Sequence, residues 1–439
     1  MPSQACRADC YVGLDLGTSG CRAVAIGRDC DILAEARASL PDSRHPEPGA
    51  SEQDPGDWWR AVREALIRLA GQNPGRVRSL SVDGTSSTLL LCDWSGIPLT
   101  PALMYDDRRA LEQARQIERR APPDSPVHGP GSALAKLLFL LARQPDTQAA
   151  HALHQADWIN GRLSGEFGLA DENNVLKIGY DPVAKRWPDW LAGLPFPNHL
   201  LPCVRPVGAP LGKVATAVAS ELGLPDDVLL VAGTTDSNAA ALAAGISEPG
   251  DAVTSLGSTL VLKVLSDEPL SSSRYGIYSH RIGDNWLVGG ASNSGGAVLR
   301  QFFNDIELVE LSLQIDPARP TGLGYYPLPS TGERFPYNDP AMQARMQPRP
   351  HTRRVFLQAL LEGIAEIEAE GYARLADLGA PFPHRIFTSG GGAINDTWRQ
   401  IRERRLGIPV LRATQTEAAF GTALLARTAA LEHSGTPPR

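Results

Sequence analysis

No apolar run in this sequence is long enough to cross a bilayer. LLFLLA, at 137 to 142, is among the longest, and a span needs about twenty residues. The opening residues, MPSQACRADC, lack a basic segment followed by an apolar one, so no secretory signal is expected. Positive charge is not in excess either. Lys and Arg number 42 against 49 Asp and Glu, a net charge of −7 that leaves no electrostatic footprint for nucleic acid or an anionic membrane. Cysteine is sparse, and Cys6, Cys10, Cys21, Cys30, Cys92 and Cys203 all fall in the first half. Cys6 and Cys10 are spaced loosely like metal ligands, but no second pair or His cluster accompanies them, so they read as a loose tail. Cys21 and Cys92 lie in predicted strands and read as small core residues. The sparse cysteines and the missing signal predict a reducing, cytoplasmic compartment; the oligomeric state, monomer or homodimer, is left open.

What is present is ordinary in bulk. With 439 residues, 42% hydrophobic and 21% charged, the chain has room for two or three domains with substantial cores. One stretch stands out. YVGLDLGTSGCRAVAIG, 11 to 27, reads as an apolar strand, a tight Gly/Ser/Thr turn and a second apolar strand. Asp15 sits where the first strand meets the turn, and a carboxylate there is costly unless something cationic meets it. Gly17, Thr18, Ser19 and Gly20 allow close backbone approach and offer N–H and hydroxyl donors, the makings of a phosphate cradle. An acid beside such a cradle points to a metal-nucleotide site; the plain alternative is a hairpin with a small-residue turn.

Residues 251 to 265, DAVTSLGSTLVLKVL, repeat the pattern, with Leu256, Gly257, Ser258 and Thr259 echoing Leu16, Gly17, Thr18 and Ser19. Two copies predict two related halves that share phosphate binding. Ser255 stands where the first copy has Asp15, so only one half would hold a metal.

Between these copies the chain alternates strand and helix signals. DILAEARASL reads as a third strand, and Asp54-Pro55 as the N-cap and first residue of a helix that stops at Gly71. VRSLSVDG and TLLLCD follow as strands, which makes a ribonuclease H-like α/β unit the expected fold. DDRRALEQARQIERR, SALAKLLFLLARQ and KVATAVASELG read as helices. The segment EFGLADENNVLKIGYDP, 166 to 182, is too polar and Asn-rich for a core; it reads as a ligand-contacting loop or a solvated connector. VLLVAGTTDSNAAALAAG puts Asp236 at a strand end and a helix start, either as a simple N-cap or as a carboxylate at the mouth of an open sheet. EPGD, 248 to 251, marks the expected domain boundary. Beyond a Gly-rich loop and a long helix at about 353 to 379, RIFTSGGGAIND gives a strand, Gly390, Gly391 and Gly392, then a helix. The glycines would let backbone approach a flat ligand, though alone they could be only a strand turn.

Five segments now stand in order: DLGTSGCRAVAI, PLTPALMYDDRRA, VLLVAGTTDSNAAALAAG, TSLGSTLVL and TSGGGAINDTWRQ. In that set, spanning about 11 to 430, the sequence resembles the carbohydrate kinases of the FGGY family, within the actin, heat-shock chaperone and sugar-kinase superfamily. The resemblance implies two ribonuclease H-like, actin-like ATPase domains around a central cleft. Residues 1–248 would bind sugar and metal, and 249–439 would bind ATP. ATP and Mg2+ are the implied cofactors. Asp15 would position the magnesium ion beside the sugar, and Thr18, Ser19, Gly257, Ser258 and Thr259 would hold phosphates. Gly391, Asn395 and Trp398 look like adenine-side contacts. Asp236 would be the catalytic base, with Thr85, Ser86, Asp106 and Asp107 where the family binds sugar.

The sequence departs from the family in two ways: it is shorter than most members, and it reads GTTDSNAAA where xylulose kinases commonly have Gly-Gly-Gly-Asp. With ENNVLKIGYDP, these features look most like the plant and cyanobacterial D-ribulose kinases, some of which carry the xylulose kinase label. The expected reaction is transfer of the γ-phosphoryl of ATP to a terminal hydroxyl of a ketopentose, D-ribulose first and D-xylulose or another polyol as the alternative. A nucleotide-switched ATPase without a sugar pocket, and a sugar sensor without catalysis, are the competing classes. PALMYDDRRA and the acid in GTTDSN favour the kinase over the first, and the presence of both acids favours it over the second.

Overall fold

In the computed structural model, residues 8–144 and 148–435 are described, so Cys6 lies outside the described residues. The first hairpin forms as its turn chemistry predicts. β1 (Asp9–Leu16) and β2 (Gly20–Ile26) are antiparallel, and β3 (Ile32–Ser39) continues the meander. Tyr11, Val12, Leu14 and Leu16 are all buried, so β1 is covered on both faces as a central strand must be. β3 alternates exposed with buried residues, one face meeting solvent. On the other side of β1, β4 (Arg76–Gly84) and then β5 (Leu229–Val231) add in parallel, and Pro210–Lys213 closes that edge.

Helix α1 (Pro55–Gly71) starts where the sequence predicts, with the Asp54 side chain accepting from the Gly56 N–H at 2.8 Å. Its Trp58, Ala61, Val62, Ala65, Leu66 and Leu69 form one buried stripe against β2 and β3. Full burial of side chains such as Leu66 and Leu69 contributes about 1.5–3 kcal/mol each. A smaller sheet of the same unit orders Glu52–Gln53, Ala102–Leu103, Leu89–Cys92 and His151–His154. Helix α2 (Ala133–Arg143) packs on it, α3 (Gln155–Ser164) leaves it directly, and α4 (Asp236–Ala243) follows β5.

The second unit, Ala244–Thr416, repeats the strand order. β6 (Asp251–Leu256) pairs antiparallel with β7 (Leu260–Ser266), which pairs with β8 (Asn285–Ser292). β9 (Arg385–Ser389) and β10 (Val410–Arg412) add in parallel beyond β6. Around this sheet stand α5 (Asp305–Ser312), the long α6 (Arg353–Asp377) and α7 (Asp396–Leu406). Arg402 of α7 and Glu368 of α6 form a fully buried ion pair at 2.6 Å, with Thr254 and Thr388 satisfying the remaining groups. Removing one partner of such a pair costs about 3–5 kcal/mol.

The last helix, α8 (Ala418–His433), packs on β1 and α4 and is grouped with the first compact unit. Glycine permits this approach, since a Cβ at Gly421 would sit 1.8 Å from the Ala239 carbonyl oxygen. Two expectations need correction. The helix expected over 106–120 begins only at Leu111, because Asp107 is engaged by Ser51 and Arg109 instead of capping a first turn. The segment 166–182 is not excluded from the interior: Asp171, Glu172, Asn173 and Asn174 are all buried, their polarity matched by hydrogen bonds described below. Cys21 and Cys92 are core residues as expected, and no described cysteine is in a disulfide. Among the described residues, no helix is long and apolar enough to cross a membrane.

Candidate active site

In the first unit, acids gather at the ends of neighbouring parallel strands. β1 ends on Asp15-Leu16 and β4 on Asp83-Gly84, and the register sets Asp15 directly opposite Asp83. The bridge between Gly84 and Thr235 brings the residue before Asp236 to the same edge. Asp83 is fully buried and accepts from the Thr422 hydroxyl of α8 through Oδ2. Among the described residues its Oδ1 has no hydrogen-bond partner, and the carboxyl of Asp15 lies beside it on the neighbouring strand. Two carboxyls in contact must share a proton or a cation. Burial, then the charges of Asp15 and Asp236, push Asp83 well above the usual carboxylate range. Burial also raises Asp15, against the pull of Asp83 and of Arg22.

The turn after β1 is closed by the Gly17 N–H donating to Gly20 O at 3.0 Å, with Thr18 half-buried and Ser19 exposed at its tip. Thr18 O accepts from Gln53 Nε2 at 2.8 Å, which fixes the turn from behind. Asp236 stands at the start of α4, half-buried, and accepts from the Ser237 N–H at 2.6 Å. The turn before it is anchored by the Asn-rich segment: Asn173 Nδ2 donates to Thr234 Oγ1 at 2.9 Å, and Asp171 accepts from Asn173 N, Asn174 N and Asn174 Nδ2. Burial, then the charge of Asp157, pushes Asp171 up to about 7. Residues 171–174 therefore brace the Thr234–Asp236 turn, the buried counterpart of the loop that the sequence led one to expect.

Thr85 and Ser86 follow β4. The Thr85 N–H and Oγ1 both donate to Gln155 Oε1, at 3.0 and 2.9 Å, and Thr88 Oγ1 lies 2.6 Å from Thr85 Oγ1. Ser86 is half-buried, whereas Ser87 is buried with φ 65°, a left-handed conformation unusual outside glycine. Gln155 Nε2 and Ser87 Oγ are buried without partners among the described residues. Asp106 is exposed at the tip of its loop. Asp107 is buried, and its carboxylate is occupied by the Ser51 N–H at 2.9 Å and the Arg109 guanidinium at 2.7 Å. Arg109 in turn reaches Glu47 and Glu52, so the Asp107 carboxylate is engaged in holding the loop.

In the second unit, Gly257, Ser258, Gly391, Asn395 and Trp398 line one cavity of about 880 Å³. That volume suits a drug-sized or cofactor-sized molecule. Thr259 is half-buried beside this group but is not part of the lining. Asn395 caps α7 by accepting from the Trp398 N–H at 3.0 Å and donates to Ser312 Oγ at 2.8 Å. The Trp398 indole N–H donates to Leu361 O at 3.1 Å, which orients the ring as a wall. Val309 and Leu313 of the α5 region and Ile394 supply apolar sides, Leu313 being 80% exposed.

Residues 10–243 match the FGGY family of carbohydrate kinases, N-terminal domain, and residues 252–430 match its C-terminal domain. The chain belongs to the FGGY family of carbohydrate kinases. It is 28% identical over 411 residues to a xylulose kinase of Escherichia coli K12, covering 89% of this chain and 84% of that one. A gluconokinase of Bacillus subtilis is 23% identical over 426 residues, covering 89% and 81%. Among solved structures, a xylulose kinase of Rhodospirillum rubrum superimposes with a TM-score of 0.85 at 27% identity, covering 95% of this chain and 89% of that one. This FGGY protein is thus an ATP-dependent phosphotransferase acting on a sugar, and its fold is the actin-like ATPase type.

Several residues of this FGGY kinase were not legible as site residues in sequence. Asp83 carried a signal, an acid in the otherwise apolar SLSVDG strand. Gln155 and Lys136 lie in helical patterns that give no hint of their partners. Gly296, which lines the second-unit cavity, sits in the Gly-rich loop stitched to the second turn, where the Gly296 N–H donates to Gly257 O at 2.8 Å.

Proposed function

We propose that this FGGY kinase transfers the γ-phosphoryl of Mg-ATP to a terminal hydroxyl of a ketopentose, D-ribulose in first place and D-xylulose as the alternative. The observation that carries the reading is the cluster of Asp15, Asp83 and Asp236 at adjacent strand ends, next to a Gly-Thr-Ser turn. Asp236 is the base: it accepts the proton of the attacking hydroxyl, a role worth ~10²–10⁴-fold in rate. Asp15 is the charged carboxylate that would hold magnesium. The fit is chemical, since hard oxygen donors suit that ion and two adjacent buried carboxyls call for a proton or a cation between them. Bound magnesium would offset the charge of the phosphates, which an acidic protein otherwise repels.

The phosphates would be held by the turns at Thr18-Ser19 and Gly257-Ser258-Thr259. The base would lie in the cavity walled by Gly391, Asn395 and Trp398, whose mixed apolar and amide lining suits a flat heteroaromatic ring. Thr85, Ser86 and Asp106 would contact the acceptor, and the unpartnered Gln155 Nε2 and Ser87 Oγ suit a polyhydroxylated ligand. D-Ribulose is supported by ENNVLKIGYDP and GTTDSNAA; D-xylulose is supported by the names of the relatives. Hydroxyl placement separates the two sugars, and a site built for one hydroxyl can reject its epimer strongly.

The test is a coupled ADP-release assay with Mg-ATP against pentoses, ketopentoses and polyols. Selective turnover of D-ribulose supports the reading, preference for D-xylulose replaces the substrate, and no stimulation by any sugar removes the acceptor assignment.

A further inference from the structure

Lys136 lies in the middle of α2 with 0% of its surface exposed, among the apolar residues Leu134, Ala135, Leu137 and Leu138. An ammonium in such surroundings is expensive to bury, and a Met or Leu would fill the space without that penalty. Its Nζ makes no ion pair among the described residues. It donates instead to two backbone carbonyls, Ser87 O at 2.9 Å and Met104 O at 2.6 Å. Those carbonyls stand at the bases of two separate loops. Ser87 closes the Thr85-Ser86 turn, and its left-handed backbone turns its carbonyl onto the lysine while its hydroxyl is left unpartnered. Met104 opens the loop carrying exposed Tyr105 and Asp106, and its carbonyl also accepts the Asp107 N–H at 3.0 Å.

We propose that Lys136 is a positioning residue of the acceptor site, pinning the Thr85–Ser87 turn to the Met104–Asp107 loop so that both present their tips at one spacing. The inference rests on the kinase reading above and adds to it a residue that touches no substrate. The logic is that of a rigid first contact layer held by a buried second layer. A single cation serves here because it carries several N–H donors on one atom, and two carbonyls from different loops can converge on it. Asp107 and Arg109 lock the far side of the same loop, and the lysine adds a side-chain tie beside the backbone pairing of Leu89 with Leu103.

The experiment compares the wild type with Lys136→Met, which keeps length and volume and removes every donor. Steady-state kinetics with Mg-ATP and the ketopentose that the wild type prefers should show the KM for sugar raised at least about tenfold, with the KM for ATP changed less than about twofold. Amide hydrogen exchange should quicken at residues 85–88 and 104–107 together. A sugar KM within about twofold of wild type, measured well below the melting temperature of the variant, would overturn the proposal. Should Lys136→Met fail to fold, exchange in the wild type decides the matter. Saturating sugar must slow both loops in parallel, and protection of one loop alone overturns the coupling. A wild type that no sugar stimulates is a different failure: it removes the acceptor reading itself, and the role of the lysine with it.

Discussion

Asp15 and Asp83 face each other across parallel strands, and the equivalent pair in the second unit is Ser255 and Ser389. The two halves therefore keep the same hairpin and the same neighbouring strand, while the acids occur in one half only. Burial disfavours the charged form of Asp83, and an amide in its place keeps the shape, can accept from Thr422 and can donate toward Asp15. Asp83→Asn should retain activity to within about tenfold, whereas Asp15→Asn removes the anion and should lose ~10²-fold or more. Magnesium titrations of both variants check this. Equal losses would mean that Asp83 is itself an ionised ligand.

Asp236 stands half-buried at the start of α4, its backbone braced through Thr234 by Asn173. Since that bracing comes from backbone and from Thr234, Asp236→Ala should fold normally and bind ATP as before. Turnover should drop ~10²–10⁴-fold, the span attributed to a positioned general base. Thermal melting and nucleotide binding measured beside kcat separate the two effects. Near-normal turnover would take the base role away from this residue.

The main strands, both Gly-Ser/Thr turns and α1 were legible because their signals are local. Apolar strands, Gly-Thr-Ser turns and an Asp-Pro cap each declare themselves within a few residues. Three things were not. Asp83 meets Thr422 across 339 positions, and Lys136 meets Ser87 across 49, distances over which no periodicity speaks. The run ADENN looked solvated because polarity alone was counted; Asp171 and its two asparagines satisfy one another and Thr234, which makes burial affordable.

A substitution at Gly391 can test nucleotide binding apart from sugar binding. The residue lines the second-unit cavity, and a Cβ added there would meet nothing within 4 Å. Gly391→Leu should therefore fold normally while its side chain fills part of the 880 Å³ space. The KM for ATP should rise about tenfold or more, and the KM for sugar should stay within about twofold. The reverse split would place the acceptor in this cavity instead. Gly392 is the control: a Cβ there would sit 2.7 Å from the Trp398 ring, so Gly392→Leu should lose stability as well.

Lys136 also gives the fold a pH signature. Burial is the main cause that brings its pKa from 10.5 down to about 7; Lys177 and Arg108 add to the effect, and Asp107 and Asp106 oppose it. The folded value lies below the unfolded one, so from pH 7 to 10.5 the unfolded chain binds a proton that the folded chain does not. Stability from this group must therefore rise with pH across that window, by at most about 1.4 kcal/mol per unit. Lys136→Met has no such group, so the Tm of the wild type should gain on that of the variant between pH 7 and 9. Parallel Tm curves would show that the lysine titrates normally. The neutral amine still carries two N–H donors, enough for Ser87 O and Met104 O, so the sugar KM of the wild type should not climb over the same range because of this group. Stability and acceptor affinity thus respond differently to one proton, a separation expected when the side chain acts through its hydrogen bonds and not through its charge.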